Sequence, residues 1–168
     1  MKKIVFLFLF LISVFNLSAD QQMKIEFTKD EEDYLQKIGA VTMCVNPDWP
    51  PYEQVDKDGN FTGIAADLLK LISERTGIEF KLLPTADLEE TLEFSRFGRC
   101  HIIPFLDQTK EREQWLTFTE PLFTDSNVFI TRVEHPFIAD PEELIEKTVV
   151  LPRGTSMDEF LKRNYPSL

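Results

Sequence analysis

The alternation of short apolar runs with amphipathic stretches between residues 41 and 105 limits the possible folds of this chain more than any other feature. Residues 41–45, 78–83 and 100–105 are apolar runs of strand length. Residues 64–75 and 87–97 lie between them and carry apolar side chains at helical spacing. Gly77 and Gly98 stand where each helix should stop. Strand, helix, strand, helix, strand predicts a parallel sheet with right-handed crossovers. The run after His101 is continuous, as suits a strand covered on both faces. Leu88, Leu92 and Phe94 are the expected inward face of the second helix.

Local signals punctuate this frame. Thr28 followed three residues later by Glu31 is a capping box, which opens a helix at 29–37 that Gly39 ends. Residues 55–60 hold an Asp-Gly turn. The stretch 45–53 contains Pro47, Pro50 and Pro51, so it is expected as a stiff loop that cannot continue a strand. It presents Trp49, Tyr52 and Asn46 at the C-terminal end of the first strand, where open α/β sheets bind ligands. On spacing alone a surface turn with a Trp packed on the core is an equal reading.

The first 19 residues begin with Lys2 and Lys3, continue in an apolar run and end in small or polar residues. This is the pattern of a cleaved secretory signal, the run being short for a membrane span, with an uncleaved N-terminal anchor as the alternative. The chain carries a formal charge of −11, and losing the two lysines of the signal takes it to −13. Nucleic acid is therefore not an expected partner. Cys44 and Cys100 fall in predicted strands. They can pair in an oxidising compartment, but neither lies on a loop that needs a staple, so two buried free thiols are expected.

The second half is less regular. Residues 107–112 are polar and open a short helix; 127–131 is an extended apolar run; 141–145 is a short helix. Residues 148–151 read as a strand, and 157–163 as the helix after the turn Gly154-Thr155-Ser156. One strand and one or two helices do not cover a sheet on both faces, so this half is expected to be the start of a further domain.

Two places invite chemistry. Arg112 sits at a helix start, where the helix dipole favours anions, and its guanidinium fork suits a carboxylate. An ion pair with Glu111, Glu113 or Glu120 is the simpler alternative. The turn 154–156 offers amides and hydroxyls to an anionic oxygen, although an ordinary cap by Thr155 or Ser156 accounts for the same residues. His101 and His135 lack partners at metal-ligand spacing, and no nucleophile motif, P-loop or dinucleotide fingerprint occurs. No metal, cofactor or catalytic residue is expected. Asp107 is the one candidate acid or base if an enzyme were built here.

Taken in order, five motifs resemble the extracytoplasmic solute-binding proteins of family 3, the polar amino-acid-binding type. They are Asn46-Pro47-x-Trp49-x-Pro51-Tyr52-Glu53, Gly63-x-x-x-Asp67-Leu68, Thr109-x-x-Arg112, Phe118-Thr119-x-Pro121 and Gly154-Thr155-Ser156. The leading helix with Tyr34-Leu35, the segment 136–138 and Tyr165-Pro166 resemble the subfamily that serves as sensor modules. The resemblance implies an α/β, type II periplasmic-binding-protein-like fold of two lobes closing on ligand. Lobe one would span 20–126, nearly complete with its parallel sheet. A hinge crossing strand would follow at 127–135, and a partial lobe two at 136–168. It implies Trp49 as the aromatic wall, Asn46 reading the variable end of the ligand and Arg112 clamping its carboxylate. Asp107, Thr155 and Ser156 would complete the site, with Tyr52 a wedge or core residue rather than a contact. It further implies an exported, non-enzymatic module for a small polar or zwitterionic solute, partnered by a membrane permease or a sensor kinase. An enzyme on the same scaffold, such as a dehydratase or the binding half of a lytic cell-wall enzyme, and a fragment without binding activity are the alternatives.

Overall fold

A computed structural model describes residues 25–167, so the expected signal at 1–19 lies outside the described residues. Helix α1 spans Lys29–Ile38 and carries the expected capping box. The Thr28 amide donates to Glu31 Oε2 at 2.7 Å, and the Glu31 amide donates to Thr28 Oγ1 at 3.4 Å. Gly39, at φ 67°, closes the helix by donating its amide to the Leu35 carbonyl.

Strand β1 (Val41–Met43) runs parallel to β5 (Phe80–Leu82), with Val41 opposite Phe80 and Met43 opposite Leu82. Helix α2 (Ile64–Thr76) lies between them in sequence and ends at Gly77 in the left-handed conformation. Met43, Val45 and Leu69 form the core, packed by Val55, Phe61, Ile72, Phe80, Leu82 and Ile102. The expected third strand at 100–105 contracts to one parallel bridge, Met43 to Ile102. The His101 amide still donates to Thr42 O at 2.8 Å, and the Cys44 amide to Ile102 O at 3.1 Å. Pro104 has no N–H, which stops the ladder there.

The stiff loop is more ordered than expected. Asp48–Trp49 forms a short strand, β2, antiparallel to β3 (Glu53–Val55), which pairs in turn with β4 (Phe61–Thr62). The flanking prolines limit β2 to two residues rather than preventing it. Gly63 joins this small sheet to α2 at φ +104°, where a Cβ would stand 2.7 Å from the Tyr52 carbonyl oxygen. That close approach lets the carbonyls of Pro51 and Tyr52 accept the first amides of α2, from Ile64 at 3.1 Å and Ala65 at 3.0 Å. The loop backbone thus caps the helix in place of a side chain.

Helix α3 spans Leu88–Arg96 and is capped by Asp87. Its fully buried residues are Thr91 and Ser95, whereas Leu88, Leu92 and Phe94 are half-buried. The hydroxyls are buried because they have partners. Thr91 Oγ1 donates to Val45 O at 2.7 Å, and Ser95 Oγ accepts from Trp115 Nε1 at 3.0 Å.

Cys44 and Cys100 form a disulfide with Cα atoms 5.8 Å apart, correcting the expectation of free thiols. Their separation of 56 residues hides a proximity created by the pairing of 100–102 with β1. The later chain contains 3-10 turns at Arg112–Gln114 and Pro141–Leu144, and helix α4 at Ser156–Asn164. The extended run at 127–131 and the expected strand at 148–151 join no ladder among the described residues. Val128, Ile130 and Val150 are exposed there, because strand pairing requires a neighbour and no strand among the described residues pairs with these runs. No helix among the described residues is long and apolar enough to cross a membrane.

Candidate functional site

The segment after the third parallel run turns back at 107–112 and meets the turn that opens α4. Arg112, 1% exposed, is at the centre of that meeting. Its Nη1 donates to the Asp107 carbonyl at 2.8 Å, and its Nη2 donates to the Gly154 carbonyl at 2.8 Å. Nε donates to Glu159 Oε1 at 3.0 Å, and Nη2 lies 2.9 Å from the same oxygen. The ion-pair partner is therefore Glu159, not Glu111, Glu113 or Glu120. Nothing in the spacing indicated it, since an acidic residue in a first helical turn reads as a complement to the helix dipole.

The neighbouring groups knit the same junction. Ser156 Oγ donates to Asp107 Oδ2. Thr155 caps α4: its Oγ1 accepts from the Asp158 amide at 3.3 Å and donates to Pro152 O at 3.0 Å. Gly154, at φ +76°, lies against Leu92 and Glu89 of α3. Arg153 reaches Glu89 at 3.4 Å. A cavity of about 350 Å³ opens beside this junction, lined by Gln108, Thr109, Asn127, Ser156, Glu159 and Arg163 among others. Asp107, Arg112, Thr155 and Ser156, expected as one site, are thus brought together from segments some 45 residues apart.

Asn46 and Trp49 lie on the loop before β2 and on β2 itself, and neither lines that cavity. Trp49 is partly exposed and packs on Tyr52 with ring centroids 4.7 Å apart. Tyr52 OH donates to Asp125 Oδ2 at 3.0 Å, which raises its pKa above the ordinary phenol value. Asn46 Oδ1 accepts from the Asp48 amide at 3.3 Å. Among the described residues no three His, Cys, Asp or Glu side chains group to hold a metal.

Glu53 supports this loop from beneath and is fully buried. Its Oε2 accepts from the Asn46 amide at 2.8 Å, while Oε1 has no hydrogen-bond partner among the described residues. Burial pushes its carboxyl up to about 7, against the opposing pull of the Asn46 and Phe105 amides. Because the folded value exceeds the unfolded one, Glu53 favours folding most at pH below about 4.5, and this advantage is lost as pH rises through 7. Glu53→Gln is expected to remove a loss on the order of 3 kcal/mol between pH 5 and pH 8. Urea denaturation at a series of pH values checks this; a variant with the parental pH slope would refute it.

Known proteins resemble this chain in sequence and fold. The family signature of bacterial extracellular solute-binding proteins, family 3, matches residues 41–167. The virulence sensor protein BvgS of Bordetella pertussis is 27% identical over 140 residues, covering 83% of this chain and 11% of the sensor. ABC transporter arginine-binding protein 1 of Escherichia coli is 25% identical over 131 residues, covering 76% of this chain and 52% of that protein. The crystal structure of the BvgS periplasmic VFT2 domain superposes with a TM-score of 0.69 at 27% identity, over 84% of this chain and 60% of that one. The chain thus spans about a tenth of the sensor and part of one periplasmic-binding-protein-like domain. With that fold and a match over three quarters of its residues, the chain belongs to the bacterial extracellular solute-binding proteins, family 3.

Proposed function

We propose that the chain is an exported module that captures a small polar or zwitterionic solute, amino-acid-like in chemistry, for a sensor kinase or an uptake system. The observation that carries this reading is the convergence of Asp107, Arg112, Thr155 and Ser156 beside a cavity of about 350 Å³. Lobe one would comprise residues 20–126, the crossing segment 127–135, and the opening of lobe two 136–168. The cluster would hold the charged end of the solute, while Trp49 and Asn46 would form the facing wall. The few placed polar groups match what small-molecule clefts use. Sensor use is favoured over transport by the match to a sensor protein over 83% of this chain.

Thermal unfolding against a panel of amino acids and related polar solutes tests it. A solute at a hundred times its Kd is expected to stabilise the chain by about 3 kcal/mol, raising the midpoint by roughly 8 °C. Trp49→Ala is expected to reduce that shift with little change in the unliganded midpoint, because the ring is partly exposed. A cooperatively unfolding chain that no solute shifts would overturn the proposal, and conversion of a solute to product would favour an enzyme.

A further inference from the structure

Each nitrogen of the Arg112 guanidinium already has a protein acceptor, and one of those acceptors is a carboxylate. Glu159 Oε1 accepts from Nε at 3.0 Å and lies 2.9 Å from Nη2, a two-nitrogen grip of the kind an incoming carboxylate would receive. Glu159 arrives from the first turn of α4. The two other links across this junction also end at the start of that helix, Arg112 Nη2 to Gly154 O and Ser156 Oγ to Asp107 Oδ2. We propose that Glu159 is an internal carboxylate occupying the Arg112 clamp, latching α4 to the 107–112 segment, so that a solute carboxylate gains Arg112 only by displacing it. This rests on the reading of Arg112 as the solute clamp.

Two features distinguish a latch from a permanent strut. The pair is incompletely satisfied: Glu159 Oε2 is buried with no hydrogen-bond partner among the described residues, which costs stability. The displaced side chain also has somewhere to go. Glu159 lines the neighbouring cavity together with Lys110 and Arg163. Arg163 is four residues on along α4, in the favourable acid-before-base order for a helical pair. Glu159 can therefore exchange a buried partner for an exposed one while a solute takes its place. The latch also sets affinity, because the apparent affinity for any carboxylate is scaled down by the fraction of time that Arg112 is free of Glu159.

The test uses the full chain, its Glu159→Ala and Glu159→Gln variants, and the double variant Arg112→Ala/Glu159→Ala. Thermal midpoints are compared in sodium acetate and in sodium chloride at equal ionic strength. With a Kd on the order of 10 mM, 100 mM acetate is expected to raise the Glu159→Ala midpoint by roughly 4 °C. The parental chain and the double variant are expected to move by less than about 1 °C on the same scale. Glu159→Gln, which keeps the side-chain shape and one acceptor, is expected to respond in the same direction and serves if the Ala variant does not fold. Equal acetate shifts in parent and single variants, a shift retained in the double variant, or none in either folded single variant would each overturn the latch. The amino-acid panel separates the two proposals. Solute binding by the parent with no acetate gain in the Glu159 variants removes the latch alone. An Arg112-dependent acetate gain with no solute response anywhere removes the solute reading and leaves the internal pair established.

Discussion

Replacing both Cys44 and Cys100 by Ala is expected to lower the unfolding free energy by about 4 kcal/mol, the loop-closure value for a cross-link of this span. The bond joins residues 56 apart, so its loss releases a long loop in the unfolded chain. That loop contains the whole unit from β2 to α3, including the Trp49 loop and the cap it provides to α2. The native side loses a tie between β1 and the 100–105 segment, which the Met43–Ile102 bridge and the hydrogen bonds of Thr42 and Cys44 to His101 and Ile102 otherwise hold. Urea unfolding of the oxidised chain, the dithiothreitol-treated chain and the double Ala variant measures it. A fall of roughly 2 M in midpoint is expected in the latter two, taking a slope typical of a domain this size. Coincident midpoints in all three would show that the bond contributes nothing in solution.

Arg112→Ala is expected to destabilise the chain by about 3–5 kcal/mol, the cost of removing one partner of a buried ion pair. The loss falls on three acceptors at once. Glu159 is left without its cation, and the carbonyls of Asp107 and Gly154 lose their donor. Removing the stranded carboxylate as well should recover part of this, so Arg112→Ala/Glu159→Gln is expected to be more stable than Arg112→Ala by about 2 kcal/mol. A double-mutant cycle from urea denaturation reads the coupling. Additive single effects would mean that the two groups do not interact in solution. A solute shift lost in Arg112→Ala thus has to be compared at matched stability before it is assigned to a missing clamp.

Helices α1, α2 and α3 follow from local rules, and their ends fall within about two residues of the expected positions because caps and glycines act over a single turn. The parallel pairing of β1 with β5 follows from the strand-helix-strand order. The motif resemblance extended that reading to the family, whose signature matches residues 41–167. Local rules fared less well where a residue's partner lies far along the chain. Thr91 and Ser95 look like surface hydroxyls on a helix until Val45 O and Trp115 Nε1 come within reach. The 127–131 and 148–151 runs have strand composition, but composition supplies no neighbour.

By itself, then, the sequence determined the helices, the parallel pairing and which residues are chemically able to grip a carboxylate. The tertiary structure decided what each of those residues is bonded to. It paired Cys44 with Cys100, set Glu53 beneath Asn46, and filled the Arg112 fork with Glu159. The reason is one of range. Helix periodicity and capping act over a few residues, whereas a disulfide, a buried carboxylate and a guanidinium find their partners only where packing brings distant segments within bonding distance.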